Sequence, residues 1–142
     1  MIEENNIPEK VLNRMFNQDG FSQWLGIEKL LVNEGHCILK MKIRKEMLNG
    51  FKVAHGGISY SLADSAFAFS CNSYNKISLS IETSISHSKP IVEGDELIAE
   101  SKMITQSNKI GNYQVIIKNQ KDEIVAVFNG ICYRTEKQVI EE

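Results

Sequence analysis

Residues 56–75 constrain the fold most, because they form a long apolar stretch with a single charge. Apolar and small side chains recur there at spacings of three and four, the period of one helix face, at Ile58, Leu62, Ala66, Phe69 and Ser73. Within residues 57–74 the only charged side chain is Asp64. A helix with so little polar surface must be covered on most sides, so we predict that a sheet wraps around it. A lone carboxylate in such surroundings needs partners or a chemical role.

The glycine pair at the start of this helix offers backbone N–H groups to a ligand. His55, Gly56 and Gly57 stand where the helix is expected to begin. A helix start exposes unpaired N–H groups at the positive end of the dipole, and it can stabilise an oxyanion formed in acyl transfer. Glycine lets a ligand approach the backbone closely. The alternative is that the pair only relieves crowding where the helix begins.

The segments around this helix predict an α+β fold. Two short helices are expected over residues 8–17 and 21–25, with Trp24 packing inward. Strands are predicted from alternation and turn residues over residues 27–32, 37–44, 77–86, 96–105, 113–118 and 124–134. One long helix followed by a run of strands indicates an antiparallel sheet wrapped around one central helix.

The length and charge indicate one globular domain with no nucleic-acid function. The 142 residues carry 24% charged and 42% hydrophobic side chains and a net charge of −2, without a basic stripe. We expect a single domain over residues 1–142, with an N-terminal helical segment at 1–25 and a frayed tail at 135–142. No stretch is long enough to span a membrane, and the N-terminus has no signal-peptide pattern.

The cysteines and histidines predict neither disulfides nor a metal. The three cysteines are widely separated among apolar residues, as expected of reduced, buried thiols in a cytoplasmic protein, at Cys37, Cys71 and Cys132. No pair has metal-ligand spacing, and the histidines His36, His55 and His87 form no zinc pattern. We therefore predict no metal.

The spacing of the candidate groups requires a second copy of the chain. Gly56 and Asp64 are eight residues apart, which is about 12 Å along a helix axis. A reacting group cannot contact both within one subunit. If two helices lay antiparallel across a two-fold axis, Asp64 of one subunit would face Gly56 of the other. The sequence therefore predicts a dimer at least, with two equivalent sites.

Several ordered motifs resemble one enzyme family. They are Met47-Leu48-Asn49-Gly50, His55-Gly56-Gly57, Leu62-Ala63-Asp64-Ser65-Ala66-Phe67-Ala68, Cys71-Asn72-Ser73, Lys89-Pro90 and Gly94-Asp95. Together they resemble the hotdog-fold acyl-CoA thioesterases of the phenylacetyl-CoA type, called PaaI-like. The strand order also agrees with that family from about residue 19 to residue 134. The resemblance implies hydrolysis of an acyl-CoA thioester to a free acid and CoA.

The resemblance also implies roles for individual residues. The Gly56 N–H would polarise the thioester carbonyl, with Asn49 as a helper. Asp64 of the partner subunit would be the general base that activates water, or the nucleophile. His55 would orient the thioester or the water; its alternative role is a histidine bonded to backbone at the helix start. Ser80 matches a serine that helps hold the water in some relatives.

Substrate and assembly follow from the same resemblance. Lys89 would meet a CoA phosphate, and no cofactor is implied besides CoA, which is part of the substrate. The implied assembly is a dimer of dimers, and the acyl group is phenylacetyl-like or of medium length. His87 stands where relatives often carry an aromatic or other bulky residue.

Two other functions fit the same fold. Hydratases or dehydratases on hotdog scaffolds use a histidine with a carboxylate, for which His55 and Asp64 are candidates. An acyl-CoA-binding sensor would bind without turnover, although such proteins usually carry a DNA-binding unit.

Overall fold

The computed structural model describes residues 6–141, which form three α-helices and six strands. In chain order these elements are α1 (Ile7–Asn17), α2 (Gly20–Leu25), β1 (Glu28–Asn33), β2 (His36–Lys42), α3 (Gly56–Cys71), β3 (Ser78–His87), β4 (Glu96–Gln106), β5 (Ile110–Lys118) and β6 (Ile124–Arg134). A short 3-10 turn at Lys45–Met47 lies between β2 and α3. The predicted central helix and all six predicted strands are confirmed, with shifts of one to three residues at most ends.

The six strands form one antiparallel sheet that wraps α3. Their order is β1-β2-β4-β5-β6-β3, so β1 and β3 are the two edges. α3 contacts every strand, and it lies closest to β2, β4 and β5 in the middle of the sheet. The α+β architecture expected from the sequence is therefore confirmed. The connection through residues 88–95 carries the chain from the β3 edge back to β4 in the interior of the sheet.

Aromatic packing fixes α3 on the sheet. The ring of Phe67 lies 5.6 Å from the rings of both Tyr113 on β5 and Phe128 on β6, measured between centroids. Gly130 on β6 lies directly beneath it, and a Cβ there would be 2.9 Å from two ring atoms of Phe67. The absent side chain at Gly130 therefore lets the helix approach the sheet.

The N-terminal helices cover one flank of the sheet and α3. α1 buries Val11 and Leu12, as its amphipathic pattern predicts. The prediction that Trp24 packs inward is wrong, because 49% of it is exposed. The inward positions of the short α2 are taken by Ser22 and Leu25. Arg44 donates hydrogen bonds to the Trp24 and Leu25 carbonyls and lies over the indole, which holds that ring at the surface.

The C-terminal tail is anchored through residue 140, so the predicted fraying is wrong there. Asn75 is buried and adopts a left-handed φ of 60°. Its Oδ1 accepts hydrogen bonds from the Val139 and Ile140 N–H groups at 3.0 and 2.9 Å, and its Nδ2 donates to the Ile140 carbonyl. A side chain distant in sequence thus satisfies the tail's backbone. No helix within residues 6–141 is long and apolar enough to cross a membrane.

Candidate active site

The start of α3 leaves one backbone donor open. His55 is the N-cap, and its Nδ1 accepts a hydrogen bond from the Gly57 N–H at 3.1 Å. This is the backbone-bonded role that the sequence left as an alternative for His55. The Ile58 N–H is satisfied by the His55 carbonyl. The Gly56 N–H has no acceptor within residues 6–141, so it is the free donor at the positive end of this helix.

His87 and Ser59 lie beside this free donor. The imidazole Nε2 of His87 is 3.0 Å from Ser59 Oγ, and that hydroxyl donates to the Gly56 carbonyl at 3.2 Å. A Cβ on Gly56 would lie 3.4 Å from Cε1 of His87, which is ordinary contact. A cleft of about 390 Å³ opens here, and it is lined by Val53, Ala54, Gly56, Ser59, His87, Ser88, Lys89, Pro90 and Ile91. A thioester can therefore reach the helix start from this side.

Asn49 shapes the loop before the helix. Its Oδ1 accepts hydrogen bonds from the Phe51 N–H at 2.8 Å and the Val53 N–H at 3.4 Å. The loop is closed further by the bridge between Leu48 and Ala54. The side-chain oxygen of Asn49 therefore stabilises the turn. The predicted role of Asn49 as a helper at the oxyanion stays a prediction, and its Nδ2 group would be the donor.

Asp64 lies on the face of α3 that the sheet does not cover. It is exposed in the single chain, and its carboxylate makes no hydrogen bond or ion pair with any residue the structure describes. Gly57 and Ser61 lie on the same face at helical spacing. Desolvation by the surrounding protein, and then the negative charge of Asp19, raise the pKa of Asp64 above its usual value. A carboxylate with a raised pKa is a better proton acceptor.

A hydroxyl array beside Asp64 was not predicted from the sequence. Asp19 caps α2 and accepts hydrogen bonds from the Ser22 N–H and hydroxyl at 3.0 and 2.6 Å. The Ser22 hydroxyl is in turn 2.8 Å from the Ser65 hydroxyl. The Asp19-x-x-Ser22 spacing is an N-cap signal that could have located α2, but nothing in the sequence pairs it with α3.

A second cleft lies over the exposed face of α3 at Asp64. It has a volume of about 180 Å³ and is lined by Met15, Asp19, Phe21, Ser22, Ser61, Asp64, Ser65, Ala68 and Phe69. Its apolar walls come from α1, α2 and the end of α3. Phe21 also lines a neighbouring cleft of about 370 Å³ with His55 and Gly57. The α2 segment therefore borders both the carboxylate and the helix start.

The structure does not bring Gly56 and Asp64 together within one subunit. Both belong to the uninterrupted helix Gly56–Cys71, so the axial separation of about 12 Å expected from the sequence applies. The described chain therefore holds no single site that contains both groups.

Two other predicted residues are Ser80 and Lys89. Ser80 lies on β3 between Ser78, which is bonded to Asn72 at the end of α3, and Thr83, which is bonded to Tyr60 near its start. Ser80 therefore lies level with the middle of α3. Asp64 is also in the middle of that helix, on the face that the sheet does not cover. Lys89 lines the cleft at Gly56, where it forms an exposed ion pair with Glu123 at 2.5 Å. Exposed pairs contribute little, so this lysine can exchange partners.

Comparison with known proteins identifies the family. Residues 51–126 match the family model described as the thioesterase superfamily, and they include the helix start, Asp64 and Lys89. A putative esterase of Archaeoglobus fulgidus is 37% identical over 134 residues, covering 94% of this chain and 87% of that protein. The chain belongs to the thioesterase superfamily. It is a thioester hydrolase, as the sequence predicted.

A second relative and its structure place the chain nearer to one branch of the superfamily. The acyl-coenzyme A thioesterase PaaI of Escherichia coli is 35% identical over 120 residues, covering 84% of this chain and 86% of that protein. The structure of the E. coli PaaI protein from the phenylacetic acid degradation operon superimposes with a TM-score of 0.90 at 32% identity, covering 92% of this chain and 95% of that one. The predicted PaaI-like family and hotdog fold are thus confirmed.

A structure from Thermus thermophilus shares the fold over a shorter part of this chain. The TT0310 protein of Thermus thermophilus superimposes with a TM-score of 0.80 at 28% identity, covering 83% of this chain and 99% of that one.

Within residues 6–141 of this thioesterase, no cluster of three or more His, Cys, Asp or Glu side chains could hold a metal ion.

Proposed function

We propose that this thioesterase hydrolyses an acyl-CoA to a free acid and CoA. The observation that carries the proposal is that the two groups the reaction needs are both unpaired in the described part of the chain. There the Gly56 N–H has no acceptor, and the Asp64 carboxylate has no donor. Both residues are exposed in the single chain, so each group is available to substrate, water or a partner subunit.

The chemistry follows from these two groups. The Gly56 N–H would donate to the thioester oxygen and stabilise the negative charge that develops as the carbonyl carbon is attacked. In one route, Asp64 takes a proton from water as the oxygen of that water bonds to the carbonyl carbon. The intermediate then collapses, the C–S bond breaks, and the CoA thiolate takes the proton from Asp64. In the other route, the carboxylate attacks the carbonyl itself, the C–S bond breaks, and the CoA thiolate leaves. Water then hydrolyses the resulting anhydride to the free acid and the Asp64 carboxylate, and the proton released goes to the CoA thiolate.

The site would be completed across a two-fold axis. The outer edge of β3 pairs with no other described strand, and Leu79 and Ile81 on this strand are each 59% exposed. An isologous pairing of β3 edges would cover this surface and lay two α3 helices antiparallel. Asp64 of one subunit would then face Gly56 of the other. We further propose a dimer of dimers, on the strength of the family resemblance.

The acyl group would occupy the cleft beside Asp64. Its apolar walls, which include Met15, Phe21 and Phe69, suit a phenylacetyl-like group or an acyl chain of medium length. The CoA portion would leave through the cleft at Gly56 of the other subunit, past its Lys89. No other cofactor is proposed. The three free cysteines are buried, which supports a cytoplasmic location.

The test measures release of CoA thiol from phenylacetyl-CoA, hydroxyphenylacetyl-CoA and medium-chain acyl-CoAs. Asp64→Asn should keep the fold and lose nearly all turnover, while Glu34→Gln, an exposed carboxylate near the other end of α3, should not change it. Gly56→Pro removes the N–H and adds a ring at a helix position that accepts proline, and His55 already has a ψ of 138° that suits a following proline. We expect kcat to fall by about 10²- to 10³-fold.

Gly56→Ala is the matched control, because it keeps the N–H and its Cβ makes only ordinary contact with His87. Mixing Asp64→Asn with Gly56→Pro subunits tests the shared site. Random dimers would restore one intact site in each heterodimer, which is about a quarter of the wild-type activity. Absence of restoration would refute a site shared between subunits. Full turnover by Asp64→Asn would refute the role of the carboxylate.

A further inference from the structure

The first peptide group of α3 is held at both ends by histidine-linked hydrogen bonds. The Gly56–Gly57 peptide is a rigid plane that carries the Gly56 carbonyl and the Gly57 N–H. His55 Nδ1 accepts from that N–H at 3.1 Å. Ser59 Oγ donates to that carbonyl at 3.2 Å, and Ser59 is in contact with His87 Nε2 at 3.0 Å. His55 and His87 are therefore both linked to the Gly56–Gly57 peptide, and Gly56 is the residue whose N–H is free.

A chain of hydrogen bonds joins His87, Ser59 and the Gly56 carbonyl. A serine hydroxyl has one hydrogen, and with that hydrogen on the Gly56 carbonyl the Nε2-protonated tautomer of His87 donates to Ser59 Oγ. The ring lies beside the open side of Gly56, since a Cβ added there would be 3.4 and 3.7 Å from its Cε1 and Nε2. His87 is thus next to Gly56 and reaches its carbonyl through Ser59.

The position of His87 is itself set by the sheet. It is the last residue of β3 and pairs with Ala126 on β6. Ser59 is 1% exposed, so its hydroxyl is shielded from competing water. Glycine has the widest backbone freedom of any residue, and Gly56 alone would hold its N–H loosely. The Gly56 N–H belongs to the preceding His55–Gly56 peptide, which meets the held peptide at the Gly56 Cα. The link from β3 through His87 and Ser59 fixes the Gly56 carbonyl and thereby limits how far the backbone can turn at Gly56.

We propose that His87 is a positioning residue for the reaction, which aims the Gly56 N–H at the developing oxyanion through the Ser59 hydroxyl. The inference rests on the proposed thioesterase function. It predicts an effect on turnover and little effect on substrate affinity, because an oxyanion donor acts mainly in the transition state.

The experiment measures kcat and KM for CoA thiol release by His87→Ala, His87→Gln and Ser59→Ala. Loss of one neutral hydrogen bond corresponds to about a three- to tenfold fall in kcat. We expect that fall for His87→Ala and for Ser59→Ala, with KM within about twofold of wild type. His87→Gln retains an N–H donor and should restore kcat to within about twofold. The His87→Ala/Ser59→Ala double variant should have a kcat no lower than that of the poorer single variant, because both residues act on one chain of contacts.

Two further variants isolate the role. In the Gly56→Pro background the donor is gone, so His87→Ala should lower kcat no further. His36→Phe is the control for loss of a histidine, since Gly35 beside it bonds to Ser73 beyond the other end of α3. Thermal melts check that each variant is folded, and Ser59→Ala tests the proposal if His87→Ala does not fold.

The outcomes separate this inference from the proposed function. If the wild-type chain hydrolyses no acyl-CoA, the proposed function fails and this inference falls with it. If the wild type is active and both His87→Ala and Ser59→Ala keep the wild-type kcat, only the positioning role is overturned. An effect confined to KM, or an undiminished effect of His87→Ala in the Gly56→Pro background, also overturns it.

Discussion

Substitution of Gly130 by alanine tests how closely the helix that carries the site packs on the sheet. The added Cβ would lie 2.9 Å from Cε2 and Cζ of Phe67 and 2.9 Å from Cε1 of Phe128. All three atoms belong to buried rings, so relief requires a shift of α3 or of a ring. Overpacking of this kind costs about 1 to 3 kcal/mol. Alanine regains roughly 0.5 to 1 kcal/mol over glycine in a strand, which leaves a net loss of about 1.3 kcal/mol at the middle of both ranges.

The expected loss converts to a measurable change in melting temperature. A chain of 142 residues has an unfolding entropy of about 0.3 kcal/mol/K at its midpoint. Gly130→Ala should therefore lower Tm by about 4 °C, measured by calorimetry at one fixed protein concentration because an oligomer's Tm depends on it. Gly20→Ala is the control, since a Cβ there meets nothing within 4 Å.

A double variant identifies the cause of the loss. Phe67→Leu alone removes ring atoms and should cost roughly 1 to 2 kcal/mol. In Gly130→Ala/Phe67→Leu the new methyl fills part of the vacated space, so the combined loss should be smaller than the sum by about 0.5 kcal/mol or more. Strict additivity, or a Gly130→Ala protein as stable as wild type, would refute the close approach of Phe67 to β6.

Two further predictions concern the carboxylate and the tail. Asp19→Asn keeps the α2 cap but removes a negative charge that raises the pKa of Asp64, so that pKa should fall and Asp64 should stay ionised to lower pH. The acid limb of the kcat/KM profile should therefore move to lower pH, and a limb that stays in place would contradict this electrostatic link. Asn75→Ala removes three hydrogen bonds to residues 139 and 140 and should cost about 3 kcal/mol in urea unfolding. The Val139 and Ile140 amides should also exchange faster with solvent, and unchanged exchange would show that other contacts hold the tail.

The sequence could predict those features of the site that depend on local order. Gly56 and Asp64 lie on one helix, and helical geometry alone places them too far apart to share a substrate within a subunit. The motif from Asn49 to Asp64 also indicated the family, because these residues are close in sequence and their spacing is specific. The role of His55 as a backbone cap was foreseen only as an alternative, since one imidazole suits either role.

Contacts between distant segments were decided by the tertiary structure. His87 and Asp19 lie on different elements from α3, and no spacing in the sequence shows that β3 ends beside Gly56 or that α2 begins beside Asp64. Trp24 and the tail were wrongly predicted for the same reason, because Arg44 and Asn75 meet them only after the chain has folded. Periodicity and turn chemistry are local properties of the backbone, and they determined the α+β fold and the site helix. The surroundings of that helix depend on which strand edge and which loop pack against it, and only the folded chain specifies them.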